Sequence, residues 1–551
     1  MRSVVAAFLL LVGLAGAGIV RRVSVDSLGR EGNGPSGVSV YLVNPPAITP
    51  DGRFVAFESA ADNLVPGDTN GAVDVFLHDG ITGRTERVSL GSGGAQGNGH
   101  SGYPGVSDDG RWVVFSSGAD DLVPGDLNGF WDVFVRDRQD GTTRRVSVAG
   151  SSEEANRHCQ SPDISADGRI VAFLSAADNL VAGDTNAVPD VFIHDRAAGT
   201  TERISISSLG AQADGACFGR AALSADGRYV AFQCAATNLV PNDTNAASDI
   251  FVRDRVALVT TRVSTGPGGV EANDGSSNPS MTGDGQLVAF DSGANNLHPH
   301  DRNSSIDVFV HDRATGVTEV VTRTVSGGVA SQGGWESGIA RDGLSVTFRS
   351  SSADLLPGEM NAFFDVYLRD LVGRRTIRLT TDAAGVEGNR DSLHGRPASG
   401  GRAAVISSLA RNLVPGDTNN QWDVFVRDLY PTLAPVDRPR LGTVFAILLS
   451  APEDAAAVYV AGASTGYTPG LELTGRYIPL NPDQLFFLSL TTPAIFLDFA
   501  GTLDGAGGAT IRMAIPAEPV LVGWNLYVAF VTQRSMAPPG VSEALRLVIG
   551  S

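Results

Sequence analysis

The chain has 551 residues, 60 of them acidic and 41 basic, for a formal charge of −19, with 42% hydrophobic residues. That balance suits a chain with a packed core and argues against a nucleic-acid partner, which selects a basic stripe. All 41 basic residues are arginine, as a GC-rich genome would favour, and the lack of lysine excludes Schiff-base chemistry and a P-loop lysine.

Met1-Arg2, the apolar run Val4–Leu14 and the small-residue site Ala15-Gly16-Ala17 read as a secretory signal peptide over 1–17, cleaved to leave Gly18. The alternative is an uncleaved anchor. No later segment reaches the roughly 18 apolar residues that a membrane span requires. The expectation is an exported monomer, secreted, periplasmic or at the cell surface, with no transmembrane segment after cleavage.

From there the chain repeats itself. Asn63–Asn70, followed by Asp74–Asp79, returns as Leu122–Asn128 with Asp132–Asp137 and as Asn179–Asn186 with Asp190–Asp195. It returns again as Asn238–Asn245 with Asp249–Asp254 and as Asn296–Asn303 with Asp307–Asp312. The last copies are Leu355–Asn361 with Asp365–Asp370 and Asn412–Asn419 with Asp423–Asp428. The turns at Asp51, Asp109, Asp167, Asp226, Asp284, Asp342 and Gly400 are spaced 58, 58, 59, 58, 58 and 58 residues apart, leaving no room for another domain between copies.

Each unit holds four short strand signals, in the third copy Pro162–Ser165, Ile170–Ser175, Asp190–Asp195 and Thr200–Ser205. Val171 with Phe173 and Val191 with Ile193 show the period of two expected of a strand buried on one face. Asp167-Gly168 predicts a type I′ hairpin with both central residues at positive φ. Four antiparallel strands repeated seven times predict a β-propeller, since a lone four-stranded sheet cannot bury both of its faces.

Ser165-Ala166-Asp167-Gly168-Arg169-Ile170-Val171-Ala172-Phe173, followed by Asp190-Val191-Phe192-Ile193-His194-Asp195, resembles the TolB-like, or PD40, propeller repeat, a WD40-like class. The resemblance covers 18–429 and implies a seven-bladed all-β propeller of four-stranded blades. TolB-like blades also resemble the gating propeller of prolyl oligopeptidases, whose catalytic domain has no counterpart here.

Ile19–Val25 nearly copies the fourth-strand sequence Thr143–Val148, while the seventh unit stops at Asp428-Leu429 with only three strands. The surplus strand is expected to pair with Asp423–Asp428 and close the ring, removing open edges. Up-and-down strands place the Asp-Gly turns on one rim and the long loops, with the blade-to-blade connections, on the other. Long loops on a rigid scaffold are where binding concentrates.

In those loops Asp68, Asn70 and Asp74 bring three oxygen side chains within seven residues, repeated by Asp126, Asn128, Asp132 and by Asp184, Asn186, Asp190. Such sets suit calcium, which takes six to eight oxygen ligands. The alternative is that they form Asx-turns and satisfy loop amides. Arg302, inside the fifth copy, would set a positive charge beside any cation and make that copy the weakest site.

His298 and His300, beside Asp301, are a candidate pair for a transition metal or simply decorate the loop. Gly462-Ala463-Ser464-Thr465-Gly466 matches a nucleophile elbow, but the last histidine, His394, precedes it and no helix pattern follows. Of three cysteines, Cys217 and Cys234 fall at ends of antiparallel strands on one rim and are expected to pair, with Cys159–Cys217 as the rival.

Pro431, Pro435 and Pro439 make 430–441 an extended linker. Over 442–551 seven short strand signals predict a small β-sandwich: Val444–Leu449, Ala457–Val460, Leu485–Leu490, Ile495–Phe499, Thr510–Ala514, Leu526–Val531 and Ala544–Ile549. Phe499–Asp504 with Ile515-Pro516 and Leu521–Gly523 resembles a C-terminal β-module of secreted proteins from large-genome bacteria.

Three functions stand. One is a non-catalytic exported propeller that binds a protein or glycan through its loop-rich rim. The others are a hydrolase or lyase acting on an extracellular polymer at the central channel, and a structural envelope component. A channel-facing acid–base pair confined to two blades would favour the enzyme. A uniform channel would favour binding or structure.

Overall fold

The strand Asp190–Asp195 shows why the repeat folds as it does. All six residues are buried, but not on one face. Val191 and Ile193 pack with Val230 and Phe232 of the following unit, whereas Phe192 packs with Val133 and Val135 of the preceding one. The period of two is therefore real, and both of its phases are apolar. Each blade is a layer buried between two neighbours, which is why one unit cannot stand alone.

The structure is a computed structural model; it describes residues 20–38, 45–150, 152–358, 361–401 and 403–429, and beyond these the strands between Thr432 and Val548. Blades one to six are four-stranded antiparallel sheets in simple sequence order, the third being Cys159–Ile164, Ile170–Ser175, Asp190–Asp195 and Thr200–Arg203. A phenylalanine pair bridges the middle strands, as Phe173 and Phe192 do with ring centroids 5.9 Å apart. The seventh sheet has Ser392–Pro397, Ala403–Ser408 and Asp423–Asp428, completed by Val20–Arg22 from the start of the chain. The Val23 amide donates to the Val424 carbonyl at 2.8 Å, and Ser24 Oγ donates to Asp423 at 2.6 Å. The ring is thus a seven-bladed propeller closed by its N-terminal strand.

The Asp-Gly turns depart from type I′, since only the glycine is left-handed: Gly168 has φ 73° and Asp167 is not among the positive-φ residues. Ser165 Oγ donates to Asp167 at 2.6 Å and accepts from the Ile170 amide at 2.9 Å, while the Gly168 amide donates to the Ser165 carbonyl at 2.9 Å. That is a type I turn followed by a left-handed glycine, the geometry of a longer hairpin loop.

The described C-terminal strands form two larger antiparallel sheets and a two-stranded one, Leu471–Leu473 with Arg476–Ile478. One of the larger sheets takes the order Thr432–Pro435, Val444–Ser450, Gly508–Ala514, Phe496–Leu497; the other is built around Val458–Ser464 and Asn525–Gln533. The stretch expected as a spacer therefore contains a strand, since Thr432–Pro435 pairs with Ser450–Ile447. Ser464 ends a strand within its sheet. The expected leader over 1–17 and the segment Leu485–Leu490 lie outside the described residues.

Candidate functional site

The long loops meet the blade-to-blade connections, as expected, and the contact is made by the loop asparagine. Asn128 Nδ2 donates to Asp132 at 2.8 Å and to the Ala155 carbonyl of the next connection at 3.1 Å, while its Oδ1 accepts the Phe130 amide at 2.8 Å. Asn70 and Asn186 repeat all three bonds, to Asp74, Gly97 and Ala72 and to Asp190, Ala213 and Val188. Asn419 reaches Gly32 at 2.9 Å, carrying the clasp across the closure. Every polar atom of these amide groups is engaged.

The carboxylates beside them converge on an arginine from the fourth strand. Arg87 lies 3.0 Å from Asp68 and 3.2 Å from Asp74; Arg145 lies 3.0 Å from Asp126 and 3.3 Å from Asp132. Arg203 lies 2.9 Å from Asp184 and 3.5 Å from Asp190, and Arg262 bridges Asp243 and Asp249 likewise. In the seventh blade Arg22 takes the same place between Asp417 and Asp423. The guanidinium supplies a buried positive charge where the carboxylates would meet a cation. Burial still pushes Asp126 up to about 6 against the pull of Arg145, and raises Asp68 and Asp184 in the same way.

The loop histidines are also engaged. His298 Nδ1 lies 3.2 Å from the His300 amide, and its Nε2 lies 3.1 Å from Arg323. Cys217 and Cys234 stand opposite each other in the first and second strands of blade four and are joined by a disulfide; Cys159 is a buried free thiol.

The channel is where the blades stop resembling one another. In blades two to seven the innermost strand carries a bulge, with register shifts such as that between Ser277 and Ser280. At one equivalent position in each bulge the backbone is left-handed, at Tyr103, Ser161, Gly219, Asn278, Glu336 and His394, with φ between 53° and 65°. Only one of the six is glycine, although a non-glycine residue at such φ costs on the order of 1 kcal/mol or more. The bulge lies in the half of the strand that starts at the blade-to-blade connection, so these residues belong to the channel end on the loop-rich face.

Three blades interlock there. Asp291, fully buried, accepts from Asn278 Nδ2 at 2.9 Å and from the Glu336 and Ser337 amides at 2.7 and 3.0 Å. Burial pushes its carboxyl up to about 6. Glu336 in turn lies 3.0 Å from His394 Nδ1, accepts the His394 amide at 3.1 Å and faces Arg349 at 3.3 Å. Burial works to raise Glu336, but the contacts with His394 and Arg349 together outweigh it and hold it at about 2. His394 Nε2 is buried and has no hydrogen-bond partner. Phe218, beside the blade-four bulge, is 44% exposed, and Trp335 packs edge-on against Phe364 at 5.7 Å. Farther along, toward the Asp-Gly rim, a cavity of about 140 Å³ is lined by Asp163, Arg220, Arg341 and Arg396.

Sequence reasoning missed these channel residues because it searched for what recurs. The usable signal is the opposite one, a repeat position of fixed backbone whose side chain changes from copy to copy.

No protein-family model matches the chain, and no curated protein matches it. Among solved structures, a protein assigned as TolB from Agrobacterium tumefaciens aligns at 16% identity and TM-score 0.35, over 63% of this chain and 94% of that one. An oligogalacturonate lyase of Vibrio parahaemolyticus aligns at 13% and 0.44, over 70% and 90%. The periplasmic gluconolactonase of Pseudomonas aeruginosa aligns at 19% and 0.31, over 61% and 83%. These likenesses bear on fold alone, and the propeller rests on this chain's own strand pairing. Among the described residues no helix is long and apolar enough to cross a membrane.

Proposed function

We propose that this is an exported propeller that binds a glycan or protein segment on its loop-rich face, at the mouth of the channel rather than along the outer loops. The observation that carries this reading is the bulge ring. Its backbone is the same in six blades while its side chains are Tyr103, Ser161, Gly219, Asn278, Glu336 and His394. A rigid frame presenting unlike side chains is the arrangement of a recognition surface. The outer loops offer less, because their asparagines and most of their carboxylates are bonded internally. Exposed Phe218 supplies an apolar plate, and Asn278, exposed although its Nδ2 donates to Asp291, stands in the same ring, the mix that fixes a ligand's orientation. Affinity electrophoresis against a panel of polysaccharides and peptides tests it. Phe218→Ala and Asn278→Ala are expected to abolish retardation, and Leu127→Ala, on an outer loop, to leave it intact. Equal retardation of all three variants would refute the site.

One observation favours a second reading, a hydrolase or lyase working in the channel. The Glu336–His394 pair is confined to two blades, and with Nδ1–H donating to Glu336, His394 Nε2 keeps a lone pair with no partner. That is the form of a base oriented by a carboxylate. New chain ends appearing in the same polysaccharides, and lost in His394→Ala, would establish it; their absence leaves binding alone.

A further inference from the structure

Six blades carry an arginine at one position of the fourth strand: Arg87, Arg145, Arg203, Arg262, Arg378 and Arg22. The fifth has Val320, which is 3% exposed. Its acidic partners have not changed in step. Asp301 is 6% exposed and Asp307 is fully buried, the same pair that an arginine bridges in blades one to four and seven. Asp307 accepts from Thr322 Oγ1 on one oxygen and from Asn303 Nδ2 at 2.8 Å on the other. Asp301 Oδ1 has no hydrogen-bond partner at all. In the second blade the corresponding carboxylates each lie within 3.3 Å of one guanidinium nitrogen, so the two face a common point.

No other cation of the protein reaches that point among the described residues. Arg302, whose charge predicted that this copy would be the weakest site, turns its side chain to solvent. Arg323 is held by His298 at 3.1 Å and Glu319 at 3.2 Å. Two buried carboxylates at the positions that elsewhere flank a guanidinium, left without a counter-charge, are costly, and a cation from solution relieves that cost.

We propose that the fifth blade holds a divalent cation of the calcium type between Asp301 and Asp307, in the place the other blades give to arginine. The ranking from Arg302 is thereby reversed: the fifth copy binds, and the copies with an internal guanidinium do not. Oxygen-only ligands suit a hard cation rather than zinc or copper. No third Asp, Glu, His or Cys joins the pair among the described residues, so backbone carbonyls and water complete the shell. That composition points to the weak end of calcium affinities, roughly 10⁻⁴ to 10⁻³ M.

The test is isothermal titration of the full chain with calcium chloride, with melting measured in about 10 mM calcium and in EDTA. One ion per chain is expected, with the folding equilibrium constant raised about tenfold or more by calcium. Val320→Arg rebuilds the internal cation and is expected to abolish binding while raising the melting temperature in EDTA. Asp301→Asn removes the charge and one carboxylate oxygen and is expected to abolish binding as well. Absence of any calcium effect on the wild-type chain would overturn the proposal. So would a stoichiometry near seven, or undiminished binding by Val320→Arg, the variant that decides if Asp301→Asn fails to fold.

Discussion

Truncating Val23 to alanine tests whether the N-terminal strand is a structural member of the ring. Val23 is fully buried and packs with Val55, Phe57, Val405 and Val424, joining the seventh blade to the first. Its counterpart in the second blade is Val146, 2% exposed. Removing two methyl groups costs about 0.8 kcal/mol each in transfer, and the cavity adds to that, giving about 2–3 kcal/mol. If the closing strand is held as firmly as an internal fourth strand, Val23→Ala and Val146→Ala lose the same amount. Equilibrium urea unfolding measures both, provided the slope with denaturant is unchanged. A loss below about 0.5 kcal/mol for Val23→Ala beside a full loss for Val146→Ala would refute the closure. Removing the whole strand goes further, because it leaves Asp423, fully buried, without Ser24 and Arg22. Breaking a buried pair from one side costs about 3–5 kcal/mol, a large part of a domain's 5–15. The truncated protein is expected to aggregate through the exposed edge of Asp423–Asp428.

Thiol labelling gives a second prediction: no reaction in the native protein, one thiol after unfolding and three after reduction, since burial pushes Cys159 up to about 12. Replacing both Cys217 and Cys234 by serine is expected to cost about 3 kcal/mol, the chain-entropy value for a loop near their 17-residue separation. A third concerns pH. Hydrogen bonds from Arg169 and Arg228 hold Asp195 and Asp254 near 2, so their contribution is present above the unfolded value near 4 and lost as pH falls toward 2. Burial raises Asp126, Asp243 and Asp423 to about 6, so the folded state keeps protons that the unfolded chain releases between about 4 and 6. Stability is expected to peak near pH 4–5 and fall toward pH 7, and a melting temperature that climbs steadily from pH 4.5 to 7.5 would contradict this.

The propeller was legible because its signals recur every 58 residues or so, and repetition averages out the ambiguity of any one short strand. The surplus at Ile19–Val25 and the deficit after Asp428 were legible for the same reason. Turn type was not, because Asp167-Gly168 carries the same two letters in a type I′ hairpin and in the wider turn that Ser165 Oγ closes. Nor was the second buried face of Asp190–Asp195, since a Phe192 on the far side looks alike whether it meets solvent or the next blade. The arginine between the loop carboxylates lies 13 residues beyond Asp74 or Asp132, outside any local motif. The channel ring was hidden more deeply, because its members share a backbone angle and no residue type.

The cysteine pair of blade four occupies a position that other blades fill with serines. Ser101 faces Ser117, Ser276 faces Ser292 and Ser392 faces Ser408 in the same register, each pair bonded through its hydroxyls. Blade three is intermediate, with Cys159 opposite Ser175 at 3.3 Å. The same cross-strand site thus holds three chemistries in one ring: two hydroxyls, a thiol facing a hydroxyl, and a disulfide. Cys159 faces Ser175 in the register that Cys217 and Cys234 share, so Ser175→Cys places a second thiol opposite the buried free one. Covalent stapling in such a ring is a choice made blade by blade, at a position where the two strands are already bonded through their side chains.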